Sequence, residues 1–541
     1  MTPATLAARG RHRQVGPVLP GPPDDAEKSS YGWRSLPFLI TAFALSALFL
    51  SVGQVWLEIG HPVLLAFAGY TAVYVSYQLI SLPVNFSGAG FSLADHVLTV
   101  KAFRPGSWPD IDIFLPVCGE PTAVLRNTWT GVFELIYAYP GLARAYILDD
   151  GPAEDARQLS ASFGFCYVRR PNPRQYGKAG NLNYAFARTG GQHVVVFDAG
   201  FRPRADFLAE TLPYLQDPTV GIVQTPRFSR VHGAQPWVER AAGPTAEVFY
   251  RAVQVSADRL GSALCVGSNA VYRRAALAGS GGFALVPYGA SSHTGLDARY
   301  RGYSLRYLPI PLAAGSSPAS LESFARERYR WSRGRTALLW TRRMWRVSMP
   351  AAARLPYVAA WLGSLAAALG ALVLPLIPIV ALAWLPGEIQ LRSAVLLIPP
   401  VLAGVVLYPL WHNAPYTPRT WPLFLVSGWA QLLAQCDHIR DSVRDVARLA
   451  APPAAPHGGA RLARRLRWAV TGWNGTLAAG WVGLACWRLA QTGSPRFAVA
   501  AVLGLANLLV VGPLIFARRE RAAQPRRAGI GRGMAARGPA A

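Results

Sequence analysis

Charged residues and cysteines are both scarce in this 541-residue sequence. Charged side chains make up 15% of the residues, hydrophobic side chains make up 52%, and the mean hydropathy is +0.21. An ordinary soluble protein carries more charge than this, so the composition indicates a membrane protein. The five cysteines show no C-x-x-C spacing. They argue against a disulfide framework or a zinc site and are typical of small buried apolar residues.

Acidic residues are scarce as well, with 28 against 54 basic ones and a net charge of +26. No nucleic-acid-binding module accompanies this charge, so nucleic acid is not an expected partner. Clusters of arginine beside apolar stretches set membrane topology and attract anionic headgroups, so membrane lipids are expected partners. These clusters comprise Arg342, Arg343, Arg346 and Arg354; Arg461, Arg464, Arg465 and Arg467; and Arg518, Arg519, Arg521, Arg526 and Arg527.

Six apolar stretches are about long enough to cross a bilayer core of roughly 30 Å, and they predict six membrane spans. Two precede the central part of the chain and four follow it. The predicted spans lie at 36–56 and 63–82 (region 34–84), at 358–385 and 394–411 (region 356–411), and at 469–489 and 497–516 (region 469–516).

The stretch 421–436 is apolar but short. If it crossed the membrane, the arginine-rich segments that follow would move outside, against the positive-inside rule. We therefore predict an interfacial helix and a basic cytosolic loop over 421–467. Residues 1–33 are predicted to form a disordered basic tail and residues 517–541 a second basic tail. Both termini are then cytosolic in a multi-pass protein of the plasma membrane.

The central region 95–345 has a different character, because short apolar runs alternate with helical patterns. This alternation predicts a mostly parallel sheet covered by helices, an α/β domain that lies in the cytosol. The predicted strands are 111–117, 144–148, 193–198 and 221–224, and the predicted helices include 122–139 and 181–188.

Carboxylates follow several of these strands. Glu120 follows the first, Asp149 and Asp150 end the second, and Asp198 ends the third. Ligands of α/β sheets bind at the carboxyl ends of strands, where such groups could accept hydrogen bonds from a nucleoside. An acidic residue after a strand also commonly just caps a helix. Two adjacent carboxylates are costly unless something uses them, which favours a ligand.

The segment Lys178-Ala-Gly-Asn-Leu-Asn183 is predicted to open a helix. Free amides at a helix start favour an anion such as a diphosphate, and Lys178 adds a point charge. The sequence has three lysines against 51 arginines. A lysine kept at this place indicates a steric or hydrogen-bonding need that arginine does not meet.

These segments together resemble the membrane-embedded family 2 glycosyltransferases of the cellulose-synthase-like branch. The resemblance implies a GT-A fold, a doubly wound mixed sheet that binds a nucleotide sugar, inserted between transmembrane helices. It also implies that Glu120 and Asp150 hold uridine, that Asp149 supports them, and that Lys178 and Asn181 lie near the nucleotide. The matching segments are Val117-Cys-Gly-Glu-Pro121, Asp149-Asp150-Gly151, Lys178-Ala-Gly-Asn-Leu-Asn183, Gln224-Thr-Pro226 and Gly267-Ser-Asn-Ala-Val-Tyr-Arg-Arg274.

Two motifs of that family are degenerate here. The D-x-D motif reads Asp198-Ala-Gly200, so Asp198 is left alone to bind a metal–diphosphate, and Mg²⁺ or Mn²⁺ binding is expected to be weak. The T-E-D motif, which carries the general base, aligns with Gly289-Ala-Ser291, which has no carboxylate. Asp297 is the nearest candidate for a substitute base.

The family's Q-x-x-R-W motif appears as Glu327-Arg-Tyr-Arg-Trp331. The resemblance implies that Arg330 faces the diphosphate and that Glu327 and Trp331 contact the acceptor, because residues four apart share a helix face. The alternative is a tryptophan at the membrane interface beside a solvated arginine face.

Two hypotheses follow from this pattern of retained and lost motifs. The first is an inverting membrane glycosyltransferase that passes a sugar from a UDP-sugar to a glycan or lipid acceptor. The second is a catalytically impaired relative that binds the nucleotide and acts as partner or regulator of an active polysaccharide synthase. A pure transporter is disfavoured, because the predicted spans carry few charges and transporters do not need nucleotide motifs.

Overall fold

The computed structural model describes residues 19–32, 36–86, 91–151, 154–390, 395–447 and 459–516. The predicted tail 517–541, residues 1–18 and 33 of the predicted N-terminal tail, and positions 448–458 of the predicted basic loop lie outside the described residues. The first three α-helices of the described residues are α1 (Asp25–Ser30), α2 (Leu36–Gly60) and α3 (Ala68–Asn85).

Residues 19–32 are folded against the central domain. Asp24 and Glu27 form a capping box at the start of α1, and Glu27 also pairs with Arg230. Tyr31 is buried, and its carbonyl accepts a 2.7 Å hydrogen bond from Arg251 Nε. The predicted disorder of residues 1–33 is therefore wrong for residues 19–32, because ion pairs with distant parts of the chain stabilise this segment.

The central domain contains a seven-stranded sheet in the order β3-β2-β1-β4-β8-β6-β9 and a three-stranded sheet in the order β5-β10-β7. In the large sheet, β8 runs antiparallel to its neighbours β4 and β6, and the other pairings are parallel. The strands are β1 (Ile111–Val117), β2 (Ala143–Asp149), β3 (Cys166–Arg169), β4 (His193–Val196), β5 (Phe201–Pro203), β6 (Val220–Gln224), β7 (Phe228–Ser229), β8 (Ala270–Arg273), β9 (Ser304–Tyr307) and β10 (Ala313–Gly315).

Helices cover both faces of the large sheet, as the sequence predicts. Ile113 and Leu115 of β1 point into a core with Trp129, whereas Phe114 points into the opposite core with Leu182. Both faces of β1 are thus buried, which explains its continuous apolar run. The helices of the domain are α4 (Leu93–Ala102), α5 (Thr122–Ala138), α6 (Glu154–Ser162), α7 (Gly177–Phe186), α8 (Phe207–Thr211), α9 (Trp237–Ala242), α10 (Gln254–Arg259), α11 (Arg274–Ala278), α12 (Ala290–Tyr300), α13 (Leu321–Leu339) and α14 (Arg342–Arg346).

A largely helical region follows the domain. Its α-helices are α15 (Leu355–Val373), α16 (Leu376–Trp384), α17 (Ile398–Leu402), α18 (Tyr408–Trp411), α19 (Trp421–Ala447), α20 (Gly459–Trp468), α21 (Thr476–Thr492) and α22 (Pro495–Phe516), with a π-helical segment at Ala469–Gly475.

Among the described residues, four helices are long and apolar enough to cross a membrane: Pro37–Gly60, Pro62–Asn85, Ala351–Val373 and Pro495–Ile515. They coincide with four of the six predicted spans. Of the other two, 394–411 contains a shorter apolar helix, Val395–Trp411, and 469–489 falls on the π-helical segment and α21. The apolar helices indicate a membrane protein, and the number six stays a prediction.

Helix α19 is longer than the interfacial helix predicted at 421–436. Gly428 in its first half packs against Ala367 and Ala371 of α15, one of the apolar helices, and its second half is hydrogen-bonded to α13 of the domain. Asp437 of α19 accepts a 2.9 Å hydrogen bond from Tyr329 of α13. Helix α19 therefore joins the domain to the apolar helices, and its depth relative to a membrane stays a prediction.

Candidate functional site

Five polar segments meet at one edge of the large sheet. Strands β1, β2, β4 and β6 all end at this edge, and β8, which is antiparallel to β4 and β6, begins there. The carboxyl ends of such strands are where ligands of α/β sheets bind. The segments that share the edge are 118–120, 149–151, 197–200, 225–227 and 267–269.

Glu120 lies in the turn that follows β1. Its Oε2 accepts a 2.6 Å hydrogen bond from the amide of Cys118, which closes the turn on itself. The amide of Asp150 donates to the carbonyl of Val117 at 3.0 Å, so the ends of β1 and β2 are fastened together. The structure thus brings the first two predicted acidic segments side by side.

Asp149 and Asp150 are adjacent in sequence but have different hydrogen-bond partners. Asp149 is fully buried, and its two oxygens accept hydrogen bonds from the amide of Gly151 at 2.7 Å and from the hydroxyl of Tyr167 at 2.6 Å. Burial, together with this carboxylate, raises the pKa of Tyr167 to about 12. Asp149 therefore shapes the turn, and its supporting role in nucleotide binding stays a prediction.

Asp150 forms a two-point ion pair with Arg170. The Nε and Nη2 atoms of Arg170 lie 2.6 Å from Oδ1 and Oδ2 of Asp150, and both side chains are buried. The third guanidinium nitrogen, Nη1, donates to the carbonyl of Gln175 at 2.6 Å. Arg170 thus ties the end of β2 to the loop that enters α7.

Helix α7 begins at Gly177, close to the predicted start. A methyl group at Gly180 would collide with the carbonyl of Gln175 and the guanidinium of Arg170, so this position needs glycine. Asn181 is buried and donates a 2.7 Å hydrogen bond from Nδ2 to the carbonyl of Leu148. The structure therefore places Asn181 beneath the end of β2, where it positions the strand end.

Lys178 and Asp198 form an ion pair at the centre of the edge. Lys178 Nζ also donates to the carbonyl of Gly267 at 2.7 Å, and Arg227 Nη2 lies 3.9 Å from Asp198 Oδ2. The amide of Asp198 donates to Ser268 Oγ at 2.9 Å. Burial alone would raise the pKa of Asp198, but the charges of Lys178, Arg227 and Arg330 outweigh it and hold this pKa below its usual value.

These residues do not fit a resident Mg²⁺ or Mn²⁺. Among the described residues, Asp198 is the one carboxylate that pairs with Lys178 or Arg227, and a divalent cation there would be repelled by both cations. At the place of the missing second carboxylate, Gly200 has a φ of +92°, a backbone conformation that glycine adopts most readily. Within the described residues, no group of three or more His, Cys, Asp or Glu side chains could hold a metal ion.

The segment that aligns with the T-E-D motif adjoins this cluster. A side chain at Gly267 would run into Ser291 Oγ, so Ser291 lies directly against the glycine whose carbonyl accepts from Lys178. Gly289 has a φ of +70°, and a methyl group there would lie 2.9 Å from the Cα of Gly334 in α13. The place predicted for the general base therefore borders the site, and Ser291 stands in it.

Asp297 is engaged elsewhere. It forms an ion pair with Arg343 of α14, and its side chain is 12% exposed. Arg343 also lies over the ring of Tyr300. No hydrogen bond or ion pair within the described part of the chain joins Asp297 to Lys178 or Asp198. The structure thus gives Asp297 a structural partner, and its candidacy as substitute base gains no support.

Part of the Glu327–Trp331 motif of helix α13 lies near Asp198 and Arg227. Arg330 is exposed and lies near enough to lower the pKa of Asp198, and Glu327 helps to raise the pKa of Arg227 against the effect of burial. Trp331 is half-buried, and the guanidinium of Arg328 lies 4.7 Å from its ring centroid. The structure brings Glu327 and Arg330 to the site; the acceptor role of Trp331 stays a prediction.

Sequence reasoning missed Arg170 and Arg227. Arg227 directly follows the Gln224-Thr-Pro226 segment, so its position was a usable signal. Arg170 follows the short, half-buried strand β3, and one arginine among 51 carries no such signal. Its role depends on a close approach to Gly180 that only the folded structure reveals.

The family described as glycosyl transferase family group 2 matches residues 193–407. This range contains Asp198, the Gln224 and Gly267 segments, and the Glu327–Trp331 motif. The chain carries a family 2 glycosyltransferase domain. The mixed sheet of this glycosyltransferase domain confirms the predicted fold class.

Curated relatives of the glycosyltransferase domain include cellulose synthases. The cellulose synthase catalytic subunit (UDP-forming) of Pseudomonas fluorescens (strain SBW25) is 34% identical over 275 residues, which is 50% of this chain and 36% of that protein. Cellulose synthase 1 of Komagataeibacter xylinus is 34% identical over 237 residues, 43% of this chain and 15% of that protein. The chain thus spans about a third or less of the length of these relatives.

Among solved structures, the mannosyltransferase PcManGT from Pyrobaculum calidifontis, in complex with GDP-Man and Mn²⁺, is 20% identical to this chain. The likeness covers 68% of this chain and 98% of that one, with a TM-score of 0.44. A score of this size establishes no correspondence between individual residues.

Proposed function

We propose that the chain is a membrane glycosyltransferase that transfers a sugar from a UDP-sugar to a glycan or lipid acceptor. One observation carries this proposal: the sheet edge has carboxylates at one place and cations at another. Glu120 and Asp150 lie at the ends of β1 and β2, where the buried Asp149 shapes the turn, and Lys178 and Arg227 lie beside the end of β4. Carboxylates suit the NH and hydroxyl groups of a nucleoside, and cations suit a diphosphate.

UDP is the proposed nucleotide because the cellulose synthase of Pseudomonas fluorescens is described as UDP-forming. In the proposed reaction, Lys178 and Arg227 stabilise the negative charge that develops on the departing diphosphate. The arginine clusters beside the apolar helices favour a cytosolic position for this domain and both termini, in a multi-pass protein of the plasma membrane.

A catalytically impaired relative is the alternative, and Ser291 favours it. An inverting transfer needs a base to accept the proton of the acceptor hydroxyl, an effect worth about 10²- to 10⁴-fold. Ser291 stands where that base is expected, and Asp297 is paired with Arg343. In this case the protein would bind UDP and act as partner or regulator of an active polysaccharide synthase.

UDP release by the purified full-length chain decides between the two functions. The protein is incubated with a panel of UDP-sugars, beside Lys178→Met and the matched control Lys101→Met, which removes an exposed lysine of α4. Release by the wild type and the control, but not by Lys178→Met, supports the enzyme. UDP that binds but is never released from any UDP-sugar supports the regulator instead. Failure to bind UDP contradicts both.

A further inference from the structure

We infer that the domain holds the diphosphate of its donor with side-chain cations in place of a divalent metal ion. This inference rests on the proposed function, because it assumes a nucleoside diphosphate at the sheet edge. The residues concerned are Lys178, Arg227 and Arg330, arranged around Asp198.

The charge of this cluster supplies the first argument. A metal ion binds a diphosphate because carboxylates hold it and its own charge faces the phosphates. Here Lys178, Arg227 and Arg330 all act on Asp198, and Glu327 acts on Arg227, which leaves a formal charge of +1 on the five side chains. These side chains therefore already carry a net positive charge without a metal ion.

The partners of Lys178 supply the second argument. Its ammonium group pairs with Asp198, which follows β4, and donates to the carbonyl of Gly267, which precedes β8. These two contacts fix the position of the ammonium group. An ammonium group has three hydrogens, and these two partners account for two of them. The third is available to a phosphate oxygen, while the side chain stays 35% exposed.

Arg227 supplies the third argument. Its side chain is 24% exposed, its guanidinium stacks over the ring of Phe201 at 4.8 Å, and its Nε is buried without a hydrogen-bond partner in the structure. A guanidinium in this state has donors to offer, and arginine is well suited to phosphate oxygens. Arg330 is exposed on α13 and lies near enough to lower the pKa of Asp198, so it is available to the same phosphates.

In this arrangement Asp198 is a positioning residue. It fixes the ammonium group of Lys178, and it carries a negative charge close to where the phosphates would lie. A carboxylate that holds a metal ion favours diphosphate binding, whereas the charge of Asp198 here would oppose it. If a metal ion bridges Asp198 to the diphosphate, a neutral side chain weakens UDP binding. If the cations bind the diphosphate without a metal ion, Asp198→Asn removes a repulsive charge and strengthens UDP binding.

Calorimetry on the purified full-length chain tests the inference, with UDP and uridine as probes. Each is titrated in excess EDTA and again in MgCl₂ or MnCl₂. We expect the UDP affinity to agree within about threefold between these buffers. Lys178→Met and Arg227→Met each weaken UDP binding by about tenfold or more, the loss typical of a charged hydrogen bond, and leave uridine binding unchanged. Asp198→Asn strengthens UDP binding in EDTA.

Two control variants test whether the loss of UDP binding is specific to these cations. Lys101→Met and Arg326→Met, which remove exposed cations of α4 and of the preceding turn of α13, leave UDP binding unchanged. UDP that binds only with metal, or more weakly to Asp198→Asn, overturns the inference and leaves the proposed function intact. UDP that binds in neither buffer overturns the proposed function as well.

Discussion

Arg170 and Asp150 are joined by two hydrogen bonds of 2.6 Å in a buried site, although 20 residues separate them in the chain. The pair links the strand that ends in the predicted nucleoside-binding carboxylates to the helix that carries Lys178. The geometry of both ends of the candidate site therefore depends on one guanidinium group.

Removing this guanidinium is expected to destabilise the domain. Arg170→Met leaves Asp150 buried without its cation, and breaking a buried pair in this way costs about 3 kcal/mol or more. The midpoint of thermal unfolding, measured in detergent, should fall by several degrees. The same change at the exposed neighbour Arg169 is the control and should have little effect.

The double variant Arg170→Met with Asp150→Leu refines this test. Replacing both partners of a buried ion pair by apolar residues is often close to neutral, so the double variant should recover part of the lost stability. An Arg170→Met protein as stable as Arg169→Met would show that the pair contributes nothing to the fold.

Introducing a carboxylate at Ser291 is expected to raise activity if the first function is correct. Ser291 lies against Gly267, next to the Lys178 cluster, where the general base is missing. Ser291→Asp should therefore increase the rate of UDP release in the presence of acceptor, with at least part of the 10²- to 10⁴-fold effect of a base. The rate should also fall at acidic pH, as the new carboxyl is protonated.

Ser292→Asp is the matched control, since it adds the same charge one residue along the same helix. A rate for Ser291→Asp that stays at the wild-type value, in a protein that still binds UDP, would mean that position 291 is not the place of the base.

Gly334→Ala is expected to slow transfer and spare UDP binding. A methyl group at Gly334 would lie 2.8 Å from the Cα of Gly289, so α13 must shift away from the start of α12. That shift moves Arg330 and Trp331 relative to Ser291. We expect kcat for UDP release to fall at least tenfold, the scale of small misplacements in active sites.

The affinity of the Gly334→Ala variant for uridine should change less than about twofold, because no hydrogen bond or ion pair among the described residues joins the carboxylates at the ends of β1 and β2 to α13. Gly190→Ala serves as control, since a methyl group there meets no atom within 4 Å. Equal kcat values for Gly334→Ala and Gly190→Ala would contradict the tight contact of the two helices.

The ion pair of Asp198 sets a pH dependence of stability. Burial acts to raise the pKa of Asp198, but Lys178, Arg227 and Arg330 lower it below its usual value of 3.8. The folded protein thus binds this proton more weakly than the unfolded chain. The stabilisation is fully present above pH 3.8 and is lost as the pH falls through the lowered pKa.

Thermal unfolding of the wild type and of Asp198→Asn between pH 3 and pH 8 measures this effect. The wild type should be the more stable by a constant margin from roughly pH 5 to pH 8, and the margin should shrink only in stronger acid. A margin that changes between pH 6 and pH 8 would show that Asp198 titrates in the neutral range, against the charges around it.

Much of the central sheet could be predicted because its strands are buried on both faces. The apolar runs at 111–117 and 144–148 lie within β1 and β2, and the carboxylates that follow them meet at one edge, as parallel strands require. Local hydrophobic pattern was enough for this part of the fold and for the placement of Glu120, Asp149, Asp150 and Asp198.

Contacts between distant segments could not be predicted in this way. The pairing of Glu27 with Arg230 holds residues 19–32 on the domain across 203 positions, and no local pattern reveals it. Likewise, Lys178 pairs with Asp198 just after β4, and Asp297 pairs with Arg343 of α14. Pairings of this kind depend on the final packing, which one sequence does not display.

The most direct test of the central claim compares UDP release with sugar transfer in one reaction. Membrane-reconstituted protein is given a UDP-sugar with a radiolabelled sugar, and UDP and labelled glycan or lipid product are counted together. We expect equal amounts of both from the wild type and from Lys101→Met, and neither from Lys178→Met. Bound UDP-sugar that yields no UDP and no labelled product would contradict the claim that this domain is a working glycosyltransferase.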